Sequence, residues 1–179
     1  MKKFIFTLLF YFPFLLAGEI SVFISEAVIN DYLTLVGDFK DISEDDDLQI
    51  MWMLENPRVK FESGDALFLV NASFTYGQLN IRKEIKLKID IQFNSRKNTA
   101  QLIITDPVIR MERNGETLGE LDISNIYKSD FVFSGPMLIN DSFTIKTEDG
   151  KERFDVTFKD PIITIESGMI EIAIDLLYE

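Results

Sequence analysis

Histidine and cysteine are both absent from this chain of 179 residues. Their absence removes the usual general base, the usual thiol nucleophile and most transition-metal ligand sets. It also excludes disulfides and a lipid-modified N-terminal cysteine. Glycine and proline are sparse, at nine and five. No phosphate-cradling glycine loop and no Gly-x-Ser-x-Gly elbow occurs among them. Basic residues are the minority charge, 18 against 30 acidic, for a formal net charge of −12. A chain this acidic is repelled by phosphate backbones, so nucleic acid is not an expected partner. Charge-driven docking onto anionic headgroups is not expected, on the same ground.

The chemistry left to such a chain is carboxylate pairs, Ser–Lys dyads and all-oxygen metal sites. Glu44-Asp45-Asp46-Asp47 is the best calcium candidate, but it lacks the alternating acidic spacing and glycine of an EF-hand loop. A charge run of this kind reads as a solvated loop. Glu62 and Glu166 end similar segments and read as outward-facing residues, since a catalytic carboxylate pair needs a defined separation that nothing in the sequence implies. The expectation is a non-enzymatic protein with no cofactor, no catalytic residue and no metal site.

The N-terminus carries an export pattern. Lys2 and Lys3 precede an uncharged run from Phe4 to Leu16, and small Ala17 and Gly18 follow. These are the three parts of a secretory signal, and the run is shorter than the roughly 20 apolar residues of a spanning helix. Cleavage after Gly18 places Leu16 three residues back, where a small residue is preferred, so an uncleaved anchor is the alternative. Export without disulfides points to a bacterial periplasm or to secretion from a bacterium. Residues 19–179 then form a single β-rich domain, long enough for one sizeable core.

Three stretches alternate apolar and polar residues with period two. Ile85, Leu87, Ile89, Ile91 and Phe93 are separated by Lys86, Lys88, Asp90 and Gln92. Ala66, Phe68, Val70, Ala72, Phe74 and Tyr76 form a second set; Ile170, Ile172, Ile174, Leu176 and Tyr178 form a third. Such alternation gives each strand one apolar and one wet face, as in antiparallel sheets. A strand from Ile85 to Phe93 spans roughly 30 Å, which implies a large curved sheet.

Ser25 is placed to cap one amphipathic helix, about Glu26 to Phe39, with Val28, Ile29, Tyr32, Leu33, Val36 and Phe39 at helical spacing. Residues 41–47 read as a loop, and strands fill the rest. Turns are expected near Gly77, Ser95–Asn98, Asn114–Gly115, Ser134–Pro136 and Glu148–Gly150. The fold class is mainly β (α+β), with the helix packed on a long, curved antiparallel sheet. An internal echo runs through it: Asn56-Pro57 to Gly64, Asp106-Pro107 to Gly115, and Asp160-Pro161 to Gly168. Each is Asx-Pro, a short strand and a tight reversal. Repetition of one hairpin unit and independent use of the same turn chemistry are both consistent with it.

Sixteen phenylalanines recur on the apolar faces. Phenylalanine lacks a polar handle and serves cores and apolar pockets equally. The sheet's apolar face therefore covers either a packed core or an apolar ligand. On the ligand reading the lining residues are Phe68, Val70, Phe74, Leu87, Ile89, Ile91, Ile172 and Ile174, with helix residues Tyr32 and Val36 closing one side. Trp52 reads as a core plug.

The segment Ile24-Ser25-Glu26-Ala27-Val28-Ile29-Asn30-Asp31-Tyr32-Leu33 resembles the opening of the YceB-like bacterial envelope proteins. Their mature domain starts with a Ser/Thr-Glu-x-x-Ile-Asn-x-x-Leu helix and continues in long antiparallel strands, as residues 48–111 do here. The resemblance implies a tubular lipid-binding type of fold and a periplasmic binder of an apolar small molecule or lipid. This chain departs from the family in lacking the lipid-modified cysteine and in having strands through Tyr178 where the family has a later helical region. Asn56-Pro57 after an apolar strand is also similar to the water-stress and late-embryogenesis β-sandwich domains. The alternative expectation is a filled β-sandwich that docks to another envelope protein.

Overall fold

The structure, a computed structural model, describes residues 20–45, 48–127, 130–136, 143–147, 150–154, 156–158 and 161–178. The export signal expected in residues 1–18 lies outside them. The described residues are mainly β, with one helix and a curled antiparallel sheet that forms a half-barrel. Strand β1 (Ile20–Ser25) leads into helix α1 (Glu26–Val36). Next come β2 (Phe39–Asp45), β3 (Leu48–Glu62), β4 (Asp65–Tyr76), β5 (Leu79–Asn94) and β6 (Thr99–Ile104). They are followed by β7 (Val108–Arg113), β8 (Glu116–Asp122) and β9 (Asp130–Ser134). The last strands are β10 (Phe143–Thr147), β11 (Gly150–Phe154), β12 (Val156–Phe158), β13 (Ile162–Glu166), β14 (Met169–Ile174) and β15 (Leu176–Tyr178).

The half-barrel has the strand order β2-β3-β4-β5-β6-β9, and a smaller sheet has the order β1-β14-β13. The alternating segments lie as expected. Ala66, Phe68, Val70, Ala72 and Phe74 are buried on β4, Ile85 and Ile89 on β5, and Ile170, Ile172 and Ile174 on β14. The lysines between the β5 residues face water. On the outer face Leu69 is nevertheless buried, lying between Arg58 on β3 and Lys86 on β5 in the register. Arg58 reaches over β4 to Glu84 at 2.5 Å, and Lys86 to the same carboxylate at 3.6 Å.

Asn56-Pro57 marks a bulge. Glu55 pairs with Asn71 but Arg58 pairs with Leu69, so β3 carries one extra residue there. The parity of burial switches with it: Trp52 and Leu54 point inward before the bulge, Val59 and Phe61 after it. Asn56 takes a φ of 54°, and its N–H donates to Asp38 Oδ1 at 2.9 Å. A bulge is where a strand accommodates proline and bends.

The first and third echo segments meet tip to tip. Gly64 N–H donates to the Ile165 carbonyl and Gly168 N–H to the Phe61 carbonyl, both at 3.1 Å. Each glycine and each acceptor holds the same place in its own echo, so the two hairpins pair through reciprocal bonds. Gly64 and Gly168 have φ of 88° and 82°, a region that glycine occupies without a Cβ penalty. The middle echo builds the separate hairpin β7–β8.

Three expectations need correction. The helix ends at Val36, where Gly37 N–H caps onto the Leu33 carbonyl, and Phe39 opens a strand. Residues 41–45 are not a loop but part of β2, registered against β3 from Phe39↔Leu54 to Asp45↔Leu48. The charges misled because an edge strand with two solvated faces needs no apolar alternation. The third alternating stretch breaks at Asp175, after which β15 leaves β14 and pairs with β12.

Candidate functional site

Of the ten residues expected to line a ligand, Phe68, Val70, Phe74, Ile89 and Ile172 are buried in one continuous core, with Leu87 and Ile91 packed against it, and Ile174 is buried outside that cluster. Hairpin β7–β8 and the turn after it fill the inner side of the half-barrel. Ile109, Met111, Ile123 and Tyr127 have essentially no exposure. The Tyr127 ring lies 5.6 Å from that of Phe68, and Trp52 lies 4.7 Å from Phe74. Gly119 sits so close to this pair that a Cβ there would fall 2.7 Å from the Phe74 ring and 3.0 Å from Trp52. Trp52 is thus the core plug that the sequence implied.

Tyr32 and Val36 are placed differently. Both are partly exposed, at 41% and 38%, on the flank of α1 beside its buried residues. Ile29 and Leu33 form the buried side. Glu26 and Asn30, one turn apart, fix the helix to β3 beyond the reach of β2. Asn30 accepts from Val59 N–H at 2.7 Å and donates to the Val59 carbonyl at 3.1 Å. Glu26 accepts from Phe61 N–H at 2.7 Å, and its own N–H donates to the Gly168 carbonyl at 2.9 Å. Ser25 Oγ caps the helix by accepting from Ala27 N–H at 3.2 Å. Every residue of the Ser-Glu-x-x-Ile-Asn-x-x-Leu pattern therefore has a structural task.

From this anchorage α1 reaches the far end of the sheet. The Tyr32 ring meets Phe131 of β9 edge-on at 5.8 Å. Between the two elements lies an open groove of about 210 Å³, lined by Val28, Ile29, Tyr32, Phe131, Val132 and Phe133. None of these side chains is charged. Val28 and Val132 are 60% and 53% exposed, so the groove opens to solvent along apolar rims. Three roomier hollows, of about 310, 380 and 450 Å³, are edged by polar or charged residues such as Arg96, Asp38 and Lys86.

Val28, Ile29 and Tyr32 carry a signal in sequence: with Leu33, Leu35 and Val36 they make an apolar arc wider than one packed face requires. Phe131 and Phe133 alternate across β9. Their meeting with α1 has no local signal.

None of the six groove-lining residues is a carboxylate, a serine or a lysine. Among the described residues no three acidic side chains gather as metal ligands. Asp46 and Asp47 of the acidic run lie outside the described residues. Glu62 is exposed, and the adjacent Lys60 ammonium, hydrogen-bonded to it, holds its carboxyl below the usual range; Glu166 is exposed at the end of β13. Among the described residues no helix is long and apolar enough to cross a membrane.

Fold and groove together define a class: an antiparallel half-barrel, filled from inside by a hairpin, with one helix laid from β3 to β9 and an apolar groove beside it. No protein-family model, no curated protein and no solved structure matches the chain.

Proposed function

We propose that this is an exported, non-enzymatic binding protein of the bacterial envelope whose site is the groove between α1 and β9, and whose ligand is an acyl chain or similar apolar segment. One observation carries the reading: the exposed apolar side chains of Val28, Tyr32 and Val132 converge on one uncharged groove. Its 210 Å³ is below the about 300–1,000 Å³ of pockets that enclose a whole small molecule. The groove thus grips part of a chain. Hydrocarbon burial contributes about 0.8 kcal/mol per methylene, and no charged side chain lines the groove. The YceB-like resemblance at residues 24–33 agrees with this reading.

The full chain, expressed with its own N-terminus in a bacterium, is tested by native mass spectrometry and organic extraction. A discrete added mass that extracts as lipid is expected. Val132→Asp, at an exposed rim, should lose it, weakening uptake of added fatty acid by about tenfold or more, which corresponds to about 1.4 kcal/mol, without changing the melting temperature. A clean apo mass with no uptake of added fatty acid overturns the proposal.

The filled interior favours a second reading, a structural module that docks to another envelope protein. It expects no retained lipid and an assembly that depends on the partner.

A further inference from the structure

The groove runs along a bare strand edge. Its lining includes Phe131, Val132 and Phe133, three consecutive residues of β9, whose side chains alternate between the two faces of the sheet. A hollow that touches all three lies beside the strand rather than over one face. Strand β9 ends the order β2-β3-β4-β5-β6-β9, and among the described residues no strand pairs with its far side. The direction of its main-chain groups follows from the register. Thr99 lies opposite Ser134 and Leu102 opposite Phe131, and in phase with them Gly135 N–H donates to the Asn98 carbonyl at 2.8 Å. Bonded and non-bonded pairs alternate along an antiparallel ladder. Phe131 and Phe133 therefore bond to β6, whereas Val132 and Ser134 turn N–H and C=O outward. Val132, an exposed rim residue, thus brings an outward main-chain donor and acceptor to the groove. The opposite edge of the sheet differs. Strand β2 bears exposed Lys40, Asp41 and Glu44, the kind of charge that keeps an edge from pairing, and residues 131–133 bear none.

We infer that the groove takes an extended segment of another polypeptide, which adds to β9 as a strand and lays the apolar side chains of one of its faces between β9 and α1. The inference rests on the groove being the binding site proposed above, and it names the apolar segment that the groove grips. The main-chain groups select a polypeptide. Hydrocarbon offers nothing to the outward N–H and C=O of Val132, whereas an added strand supplies an acceptor and a donor at every second residue, and the groove receives its alternate side chains. Charge selects among polypeptides. Helix α1 carries exposed Asp31 three residues after Val28 and has no basic residue, on a chain of net charge −12. A second copy of so acidic a chain is repelled, and a segment with Lys or Arg beside its apolar residues is favoured.

The test adds a capped heptapeptide, Lys-Val-Thr-Val-Thr-Val-Lys, to the full chain and follows amide hydrogen exchange by NMR. In the free protein the Phe131 and Phe133 amides should exchange slowly and the Val132 amide fast. The peptide should bind with a Kd of about 1 mM or tighter. At about ten times that Kd it should slow Val132 exchange about tenfold. Two N-methylated peptides test the main-chain bonds. Methyl groups on the alternate amides that face β9 should weaken binding about tenfold or more, and methyl groups on the other alternate set should weaken it much less. Glutamate in place of both lysines should also weaken binding; stronger binding overturns the choice of a basic segment. Equal losses for the two methylated peptides overturn the inference, as does unchanged exchange at Val132. Slow Val132 exchange in the free protein overturns it too, because the edge is then taken by the chain itself or by a second copy. The acyl-chain reading fails separately. Uptake of fatty acid with no effect of the peptide leaves that reading standing and overturns this inference. Peptide binding without uptake of fatty acid or retained lipid upholds the inference and removes the acyl chain.

Discussion

Asn30 and Glu26 do for β3 what a neighbouring strand does elsewhere in the sheet: they satisfy backbone groups at residues 59 and 61. Unpaired, such groups cost about 1–3 kcal/mol each when buried, which explains polar residues on the packed side of a helix. Tyr127 is the opposite case. Its ring is fully buried and its hydroxyl has no hydrogen-bond partner among the described residues. Burial pushes the phenol from the ordinary 10.0 up to about 12, with the Asp38 carboxylate adding to the shift. The native state therefore favours the neutral form. Its contribution is complete below pH 10 and is lost as pH rises through about 12. An alkaline titration followed by tyrosinate absorbance should show one tyrosine that ionises only with unfolding. Tyr127→Phe should remove that late step and leave stability at pH 7 unchanged or raised by about 1 kcal/mol, measured by urea unfolding; a large loss would mean that the hydroxyl is paired.

At the scale of elements, the bulge at Asn56-Pro57 decides what β3 buries. A strand that alternates strictly from Leu48 to Glu62 cannot place Trp52, Leu54, Val59 and Phe61 on one face, because their spacing changes from even to odd. One extra residue restores the phase. Deleting Asn56 should turn Val59 and Phe61 outward, or Trp52 and Leu54, and so abolish cooperative unfolding, as seen by circular dichroism and amide exchange. A deletion variant that melts like the parent chain would refute the role of the bulge. The switch of phase is legible in the sequence beside its proline. The strand character of residues 41–45 is not, since it comes from pairing with β3 and leaves no mark in composition.

For the molecule as a whole, the decisive contact is that of hairpin β7–β8 with the inner face of the half-barrel. It converts a curved sheet into a filled one and moves the candidate site from the interior to the gap between α1 and β9. Gly119 leaves no room for a Cβ against Phe74 and Trp52. Gly119→Ala should cost about 1–3 kcal/mol through overpacking against Phe74 and Trp52, with a near-ultraviolet dichroism change from the tryptophan; an unchanged urea midpoint would show a looser fit. The groove gathers residues from α1 and β9, about a hundred positions apart, and depends on how far the sheet curls.

The sequence by itself determined the mainly β class, the faces of the long strands, the helix after Ser25 and its cap, and the absence of thiol and imidazole chemistry. These follow from composition and from periods of two and 3.6 residues, which act within one element. Only the tertiary structure decided that Phe68, Val70, Phe74, Ile89 and Ile172 pack as core, that Tyr32 stays partly exposed, and that Tyr32 and Phe131 meet. The apolar pattern says which side chains leave water, but which partners they find there depends on sheet curvature and on the hairpin that folds back. Those are set by the sum of contacts between distant elements, with no trace in the local sequence.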